Sequence, residues 1–229
     1  MSIMEKKPKS LIAESYRSLR SNIAYSSFDG EYQIISVTSA VPAEGKSTTA
    51  INLAVSLSQL EKKVLLIDCD MRKPSLHKKL GISNISGLTD LLVGKKNVED
   101  ASKKRSKFLT ILTAGTIPPN PAEMLDSKVM SDFLEECRNH YDHIILDTPP
   151  VLAVTDAQLL AAKADATVLV VKANKTKGKT VVNSYKELEK VKANIIGTIL
   201  NDYDNSGERL YYRHESDKKI SKFLRKFKR

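Results

Sequence analysis

Residues 34–48 read IISVTSAVPAEGKST, and this stretch decides the fold of the chain. Its first five residues are β-branched apart from one serine, which is typical of a strand, and an apolar helical pattern begins after the last of the fifteen. A strand, a tight loop and a helix in this order direct several backbone N–H groups and the positive end of a helix dipole to one point. The stretch therefore predicts a phosphate-binding loop.

The loop contains a Gly-Lys-Ser sequence at residues 45–47. Lys46 supplies a mobile positive charge for the outer phosphates of a nucleotide, and the Ser47 hydroxyl is a ligand for the Mg²⁺ that bridges them. The motif departs from G-x-x-x-x-G-K-[ST] because Ala40 stands in place of the first glycine. A lone Gly-Lys-Ser also occurs in unrelated loops, but the strand before it and the helix after it favour a nucleotide site.

Two further apolar runs end in aspartate. Residues 64–67 lead into Asp68 and Asp70, and residues 144–146 lead into Asp147. The ligand crevice of a parallel sheet lies beyond the carboxyl ends of its strands, so these side chains and Lys46 are expected to converge there. Carboxylates beside a triphosphate form a Mg²⁺ site. The alternative is that each aspartate only caps a helix or begins a turn.

Short apolar runs alternate with helical patterns through the rest of the chain. Six strands are predicted, at about residues 33–38, 63–67, 108–113, 143–147, 166–171 and 195–200. All-apolar strands that alternate with helices indicate an α/β fold whose mostly parallel sheet has helices on both faces. A chain of 229 residues with 41% hydrophobic content can bury one substantial core.

The helical patterns and the turn signals suggest how the chain is divided. Helices are predicted at about residues 10–27 and 122–140, the first with an apolar face made by Leu11, Ile12, Leu19 and Ile23. Polar, turn-forming residues follow Leu200. The expected division is an N-terminal helical region at 1–30, a nucleotide-binding domain at 31–202 and a flexible tail at 203–229.

Composition narrows the function classes. Two distant cysteines and four scattered histidines indicate neither a disulfide framework nor a zinc site. The net charge of +10 comes without a helix-turn-helix or an aromatic-interleaved basic pattern, so no nucleic acid is expected as a partner. No apolar run approaches the ~20 residues of a membrane span, and the first ten residues do not read as a secretion signal. We therefore expect a cytoplasmic protein.

The tail has two features of its own. Residues 218–229 are basic at every charged position, with Ile220, Phe223, Leu224 and Phe227 at helical spacing. This pattern is typical of a helix that lies on an anionic membrane surface or docks on a partner, and a solvated terminus is the alternative. The tail also contains Tyr203, Tyr211 and Tyr212, which are possible phosphoryl acceptors or ordinary surface tyrosines.

Several segments together resemble the bacterial tyrosine kinases (BY-kinases), which are associated with capsule and exopolysaccharide synthesis. Segments similar to the Walker A, A′ and B motifs of that family are residues 39–48, Asp68-x-Asp70-x-Arg72-Lys73-Pro74 and Asp147-Thr148-Pro149-Pro150. Residues 112–115, 118–123 and 154–158 look like the same family. The resemblance covers about residues 8–203 and implies a P-loop NTPase-like fold with ATP and Mg²⁺ as cofactors.

The resemblance also implies roles for individual residues. Asp68 is the expected base for the tyrosine hydroxyl, whose pKa of ~10 makes a proton acceptor useful. Ser47 and Asp147 hold the metal with help from Asp70. The implied catalytic residues are Lys46, Asp68, Asp70 and Asp147, and the implied ATP-binding residues are Ala43, Glu44, Gly45, Lys46, Ser47, Thr48, Arg72 and Asn201. For Arg72, a phosphate contact and an ion pair within its own loop are equally open, and Asn201 corresponds to the position where related ATPases recognise adenine.

The partners implied by the resemblance concern assembly and the membrane. Glu14, Arg17 and Arg20 match a helix motif that mediates ring assembly in the family, with an intrahelical ion-pair ladder as the alternative. A separate transmembrane activator, tyrosine-phosphorylated protein substrates and a cognate phosphotyrosine phosphatase are expected. They imply recruitment to the inner face of the cell membrane.

Two other functions share these nucleotide motifs. Septum-positioning and partitioning ATPases carry a second lysine near the start of the loop, where this chain has Val41. The other is a regulatory ATP-binding module, in which the nucleotide controls assembly of the polysaccharide machinery and phosphorylation is incidental. Phosphotyrosine formation with Mg-ATP distinguishes all three possibilities.

Overall fold

A computed structural model describes residues 2–27 and 30–203. The strands are β1 Ile34–Ser39, β2 Val64–Asp68, β3 Lys103–Lys104, β4 Leu109–Leu112, β5 His143–Asp147, β6 Ala166–Lys172 and β7 Ile195–Asn201. The helices are α1 Ile3–Lys6, α2 Leu11–Tyr25, α3 Lys46–Ser58, α4 Leu76–Leu80, α5 Leu88–Leu92, α6 Val98–Ala101, α7 Pro121–Asp126, α8 Lys128–Arg138, α9 Asp156–Lys163 and α10 Gly178–Lys190.

The strands form one sheet in the order β3-β4-β2-β5-β1-β6-β7. All pairs are parallel except β3 with β4. The six predicted strands are present within two residues of their expected bounds, and the mostly parallel sheet is confirmed. Strand β3 was not predicted, because a strand of two lysines has no apolar pattern.

Alternate residues of the central strands face two separate cores. Ile35 and Leu66 pack with the helices on one side, and Ile34 and Leu65 pack with those on the other. Burial on both faces explains why these strands are almost wholly apolar in sequence. Because β1, β2 and β5 are parallel neighbours, their carboxyl ends meet at one edge of the sheet. That edge carries the phosphate-binding loop (P-loop, residues 40–46), whose last residue begins α3.

The N-terminal helices pack against α3. The Asn52 side chain of α3 accepts hydrogen bonds from the backbone N–H of Ile3 and of Met4, and Met4 is fully buried. The expected apolar face of α2 is partly wrong, because Leu11 and Ile12 are 65% and 52% exposed. The core side of α2 is made by Ala13, Tyr16, Leu19 and Ile23.

The helix predicted at 122–140 is two helices. Ser127 ends α7 with extended backbone (φ −60°, ψ 156°) and begins α8, where its hydroxyl accepts from the Met130 N–H at 3.2 Å. Serine caps helices in this way because its side chain replaces a missing intrahelical acceptor. Among residues 2–27 and 30–203, no helix is long and apolar enough to cross a membrane.

Candidate active site

The P-loop joins β1 to α3 in a conformation that explains part of its sequence. Gly45 has a φ of 101°, and a Cβ on it would lie 2.0 Å from Nδ2 of Asn201, so a side chain has no space there. The other left-handed residue is Ala43, with a φ of 67°. Ala40 does not have a positive φ. The first glycine of the usual motif is therefore dispensable for backbone conformation in this chain.

Lys46 lies in a cluster of buried charges at the first turn of α3. Its ammonium donates to Asp70 at 3.1 Å and to Asp147 at 3.4 Å. Burial alone would lower the pKa of Lys46, but the two carboxylates outweigh it and raise that pKa. The convergence expected from three separate strand ends is therefore present in the structure.

Asp68 and Asp147 are direct neighbours at the ends of β2 and β5, and both are fully buried. Burial is the main cause that raises the pKa of each carboxyl, and the Asp147 charge adds to the effect on Asp68. Two carboxylates so close in a low-dielectric setting repel each other. The site therefore holds negative charge that a cation would stabilise.

One atom of this cluster points to a metal. Asp147 Oδ2 is buried and has no hydrogen-bond partner among the described residues. The Ser47 hydroxyl is close by, since it lies 3.4 Å from Lys46 Nζ. A hydroxyl, a carboxylate and substrate phosphates are the ligands that Mg²⁺ takes in such sites. Residues 2–27 and 30–203 contain no group of three or more His, Cys, Asp or Glu side chains that would hold a metal without a substrate.

Asp68 also organises the loop that follows β2. Its Oδ2 accepts from the backbone N–H of Ser75 and of Leu76, both at 2.9 Å, and its Oδ1 accepts from the Asp70 N–H at 3.3 Å. The Ser75 hydroxyl donates in turn to Ser47 at 2.9 Å. Asp70 borders the cleft directly, whereas Asp68 lies behind this loop.

Arg72 forms an ion pair outside its own loop. Its guanidinium makes a bidentate contact with Asp156 at the start of α9, at 2.9 and 3.1 Å. The alternative of a pair within residues 68–75 is therefore wrong, although Arg72 does line the cleft. Asp156 is fully buried and lies in the 154–158 segment that resembles the kinase family, but its pairing with Arg72 has no signal in the sequence.

The cleft above the P-loop has a volume of about 410 Å³. Its lining residues are Pro42, Ala43, Gly45, Lys46, Ser47, Thr48, Asp70, Arg72, Lys73, Ser75, Lys79, Pro149, Pro150, Ala153 and Val154. Eight of them were not predicted as site residues, namely Pro42, Lys73, Ser75, Lys79, Pro149, Pro150, Ala153 and Val154. The Walker-like segments at 68–74 and 147–150 were the signal that could have identified several of these.

Two of the expected ATP-binding residues, Glu44 and Asn201, are not among the residues that line this cleft. The Glu44 carboxylate accepts from the Val41 N–H at 2.8 Å, and the Asn201 amide donates to the Glu44 carbonyl at 2.9 Å. Both side chains thus contact the backbone of the P-loop. A larger cleft of about 530 Å³ lies at the other end of the strands, near Lys63 and Phe108, far from the P-loop.

The three charged residues of the α2 motif, Glu14, Arg17 and Arg20, all have partners within one chain. Glu14 and Arg17 form an i, i+3 ion pair at 2.8 Å, and Arg17 also donates to the Pro8 carbonyl. Arg20 donates to the Ser56 carbonyl on α3 at 2.6 Å.

Tyr203 is 61% exposed just after β7. Tyr211, Tyr212 and the segment 218–229 lie outside the described residues.

Comparisons with known proteins agree with this geometry. The family described as "AAA domain" matches residues 32–201. The chain is 47% identical over 195 residues to tyrosine-protein kinase YwqD of Bacillus subtilis, which covers 85% of this chain and 82% of that protein. It is 40% identical over 207 residues to CapB of Staphylococcus aureus, covering 90% and 91%. The crystal structure of the chimerical protein CapA2B2 is similar with a TM-score of 0.85 and 37% identity, over 89% of this chain and 90% of that one.

Proposed function

The chain belongs to the family of bacterial tyrosine kinases with an AAA domain, and we propose that it transfers the γ-phosphoryl group of ATP to tyrosine hydroxyls with Mg²⁺. One observation carries this proposal: Lys46 of the P-loop lies 3.1 Å from Asp70 and 3.4 Å from Asp147. A phosphate-binding lysine and two carboxylates at one point provide both halves of a Mg-ATP site.

We assign the phosphates to the P-loop N–H groups and to the first turn of α3. Lys46 exchanges its carboxylate contacts for contacts to the outer phosphates when the nucleotide binds. Ser47 and Asp147 are the metal ligands, with Asp70 beside them, and Asp147 Oδ2 is the free acceptor that supports this assignment. The Mg²⁺ would supply charge neutralisation for the transferred group. Arg72 borders the same cleft, and its guanidinium is held in place by the Asp156 carboxylate.

The proton of the attacking tyrosine needs an acceptor, and we assign Asp68. Its raised pKa makes this carboxylate a better proton acceptor at neutral pH than an ordinary aspartate. Because its oxygens accept from Ser75, Leu76 and Asp70 N–H groups, the loop at 69–75 has to open or shift for a phenol to reach it. Asp70 already borders the cleft and is the competing assignment.

The remaining proposals concern acceptors and partners. Tyr203, Tyr211 and Tyr212 are the proposed autophosphorylation sites, presented to a neighbouring subunit of a ring that assembles through Glu14, Arg17 and Arg20. A transmembrane activator would recruit the ring to the inner face of the membrane, with 218–229 as an additional contact to anionic lipid. We further propose that tyrosine phosphorylation by this chain regulates capsular or exopolysaccharide synthesis and that a phosphotyrosine phosphatase reverses it. The similarity to CapB supports it.

The test is incubation of the full chain with Mg-ATP, followed by detection of phosphotyrosine and mass spectrometry. Lys46→Met should abolish phosphorylation, because the P-loop loses its charge for the outer phosphates. Lys96→Met is the matched control on an exposed surface and should phosphorylate at the wild-type rate. Equal rates for wild type and Lys46→Met would contradict the kinase assignment.

A further inference from the structure

The P-loop contains a buried carboxylate that is not among the residues lining the cleft. Glu44 is only 2% exposed, and no Lys, Arg or His within residues 2–27 and 30–203 forms an ion pair with it. Three neutral donors face it instead. Oε2 accepts from the Val41 N–H, while Oε1 accepts from the Thr176 hydroxyl and from the Lys172 N–H at 3.4 Å.

A buried carboxylate without a cation is costly, so it is tolerated only where its donors are held in place. The Lys172 N–H belongs to the last residue of β6, the Thr176 hydroxyl to the connection between β6 and α10, and the Val41 N–H to the P-loop itself. Glu44 therefore joins two loops that are 128 or more residues apart in sequence. The residue next to it, Ala43, has a left-handed conformation that a non-glycine residue adopts only where its surroundings enforce it.

We propose that Glu44 and Thr176 are positioning residues for nucleotide binding. Their contact fixes the P-loop in its phosphate-binding shape before a nucleotide arrives, so that its N–H groups need no reordering. Neither side chain lines the cleft, so both act through the loop and not by touching the nucleotide. The inference rests on the proposed function only in taking a nucleotide as the ligand of the cleft.

The test uses Thr176→Val, which replaces the donor by a side chain of the same shape at a half-buried position. The full chain is titrated with a fluorescent ATP analogue and Mg²⁺. We expect the Kd to rise about tenfold, the usual effect of losing one hydrogen bond to a charged group. Thr176→Ser should bind within about twofold of wild type, because it keeps the hydroxyl. Thr198→Val, the same change at an exposed position of β7, is the matched control and should bind as wild type.

A double variant separates positioning from local packing. If Thr176 acts through Glu44, then Glu44→Ala/Thr176→Val should bind no more weakly than Glu44→Ala alone. In steady-state assays Thr176→Val should raise the KM for Mg-ATP and leave kcat unchanged. Wild-type binding by Thr176→Val, or equal losses in Thr176→Val and Thr176→Ser, would overturn the proposal. Absence of phosphotyrosine in wild type would contradict the kinase assignment but leave this binding result interpretable.

Discussion

The buried cluster at the P-loop and the Glu14–Arg17 ion pair on α2 combine the same kinds of charged side chain in different surroundings. At the P-loop, the Lys46, Asp70 and Asp147 side chains are 11%, 8% and 0% exposed. On α2, Arg17 and Glu14 are 30% and 65% exposed. Water screens the second pair, whereas the first interacts through a low-dielectric interior that also penalises every charge. Burial therefore makes each charge at the P-loop dependent on its partners, while the exposed charges on α2 contribute little to folding.

The largest effect is expected from a substitution in the buried charged site. Asp68→Asn keeps the shape of the side chain but removes the proposed base, so phosphotransfer should fall about 10²-fold or more while nucleotide binding persists. The measurement is the initial rate of phosphotyrosine formation at saturating Mg-ATP. Asp132→Asn, an exposed aspartate on α8, is the control. Full activity in Asp68→Asn together with a large loss in Asp70→Asn would reassign the base to Asp70.

An intermediate effect is expected in the pH dependence of stability. Burial and the Asp147 charge raise the pKa of Asp68 to about 7 from 3.8. The folded state therefore binds this proton more tightly than the unfolded state, and the stabilisation is complete at acid pH and is lost as pH rises through that range. Urea unfolding of wild type and Asp68→Asn, without nucleotide, should show the stability of wild type relative to the variant decreasing from pH 4 to pH 7. A difference that is constant with pH would contradict the raised pKa.

The smallest effect on folding is expected from a change to the exposed ion pair on α2. Glu14→Ala/Arg17→Ala should change the free energy of unfolding by only ~0.2–0.5 kcal/mol, as for an ordinary i, i+3 pair. If the motif mediates ring assembly, the same variant should nevertheless shift the mass measured by light scattering from an oligomer to a monomer. Glu187→Ala/Lys190→Ala removes a comparable i, i+3 pair on α10 and is the control.

Arg20 is left out of that variant because its contact to the Ser56 carbonyl on α3 stabilises the monomer itself. An alanine there would mix a packing effect with an assembly effect. An unchanged mass after Glu14→Ala/Arg17→Ala would favour the intrahelical ladder over the ring.

The alternation of apolar strand segments with helical patterns predicted most of the fold. Each strand is a short run of consecutive, mostly apolar residues, so it can be read from the sequence directly. It was less accurate where one polar residue changes the backbone. Ser127 divides one predicted helix into α7 and α8 through its capping hydroxyl. The exposure of Leu11 and Ile12 was also missed, because an apolar residue on a helix does not reveal which neighbour covers it.

The sequence by itself determined the P-loop and the aspartates at the ends of β2 and β5, because motif chemistry is written in consecutive residues. Only the tertiary structure decided the partners across long separations. It brought Arg72 to Asp156, 84 residues away, and Glu44 to Thr176, 132 residues away. The physical reason is that a side chain bonds to whatever group lies near it in space, and the packing of the sheet and helices sets which groups come within reach.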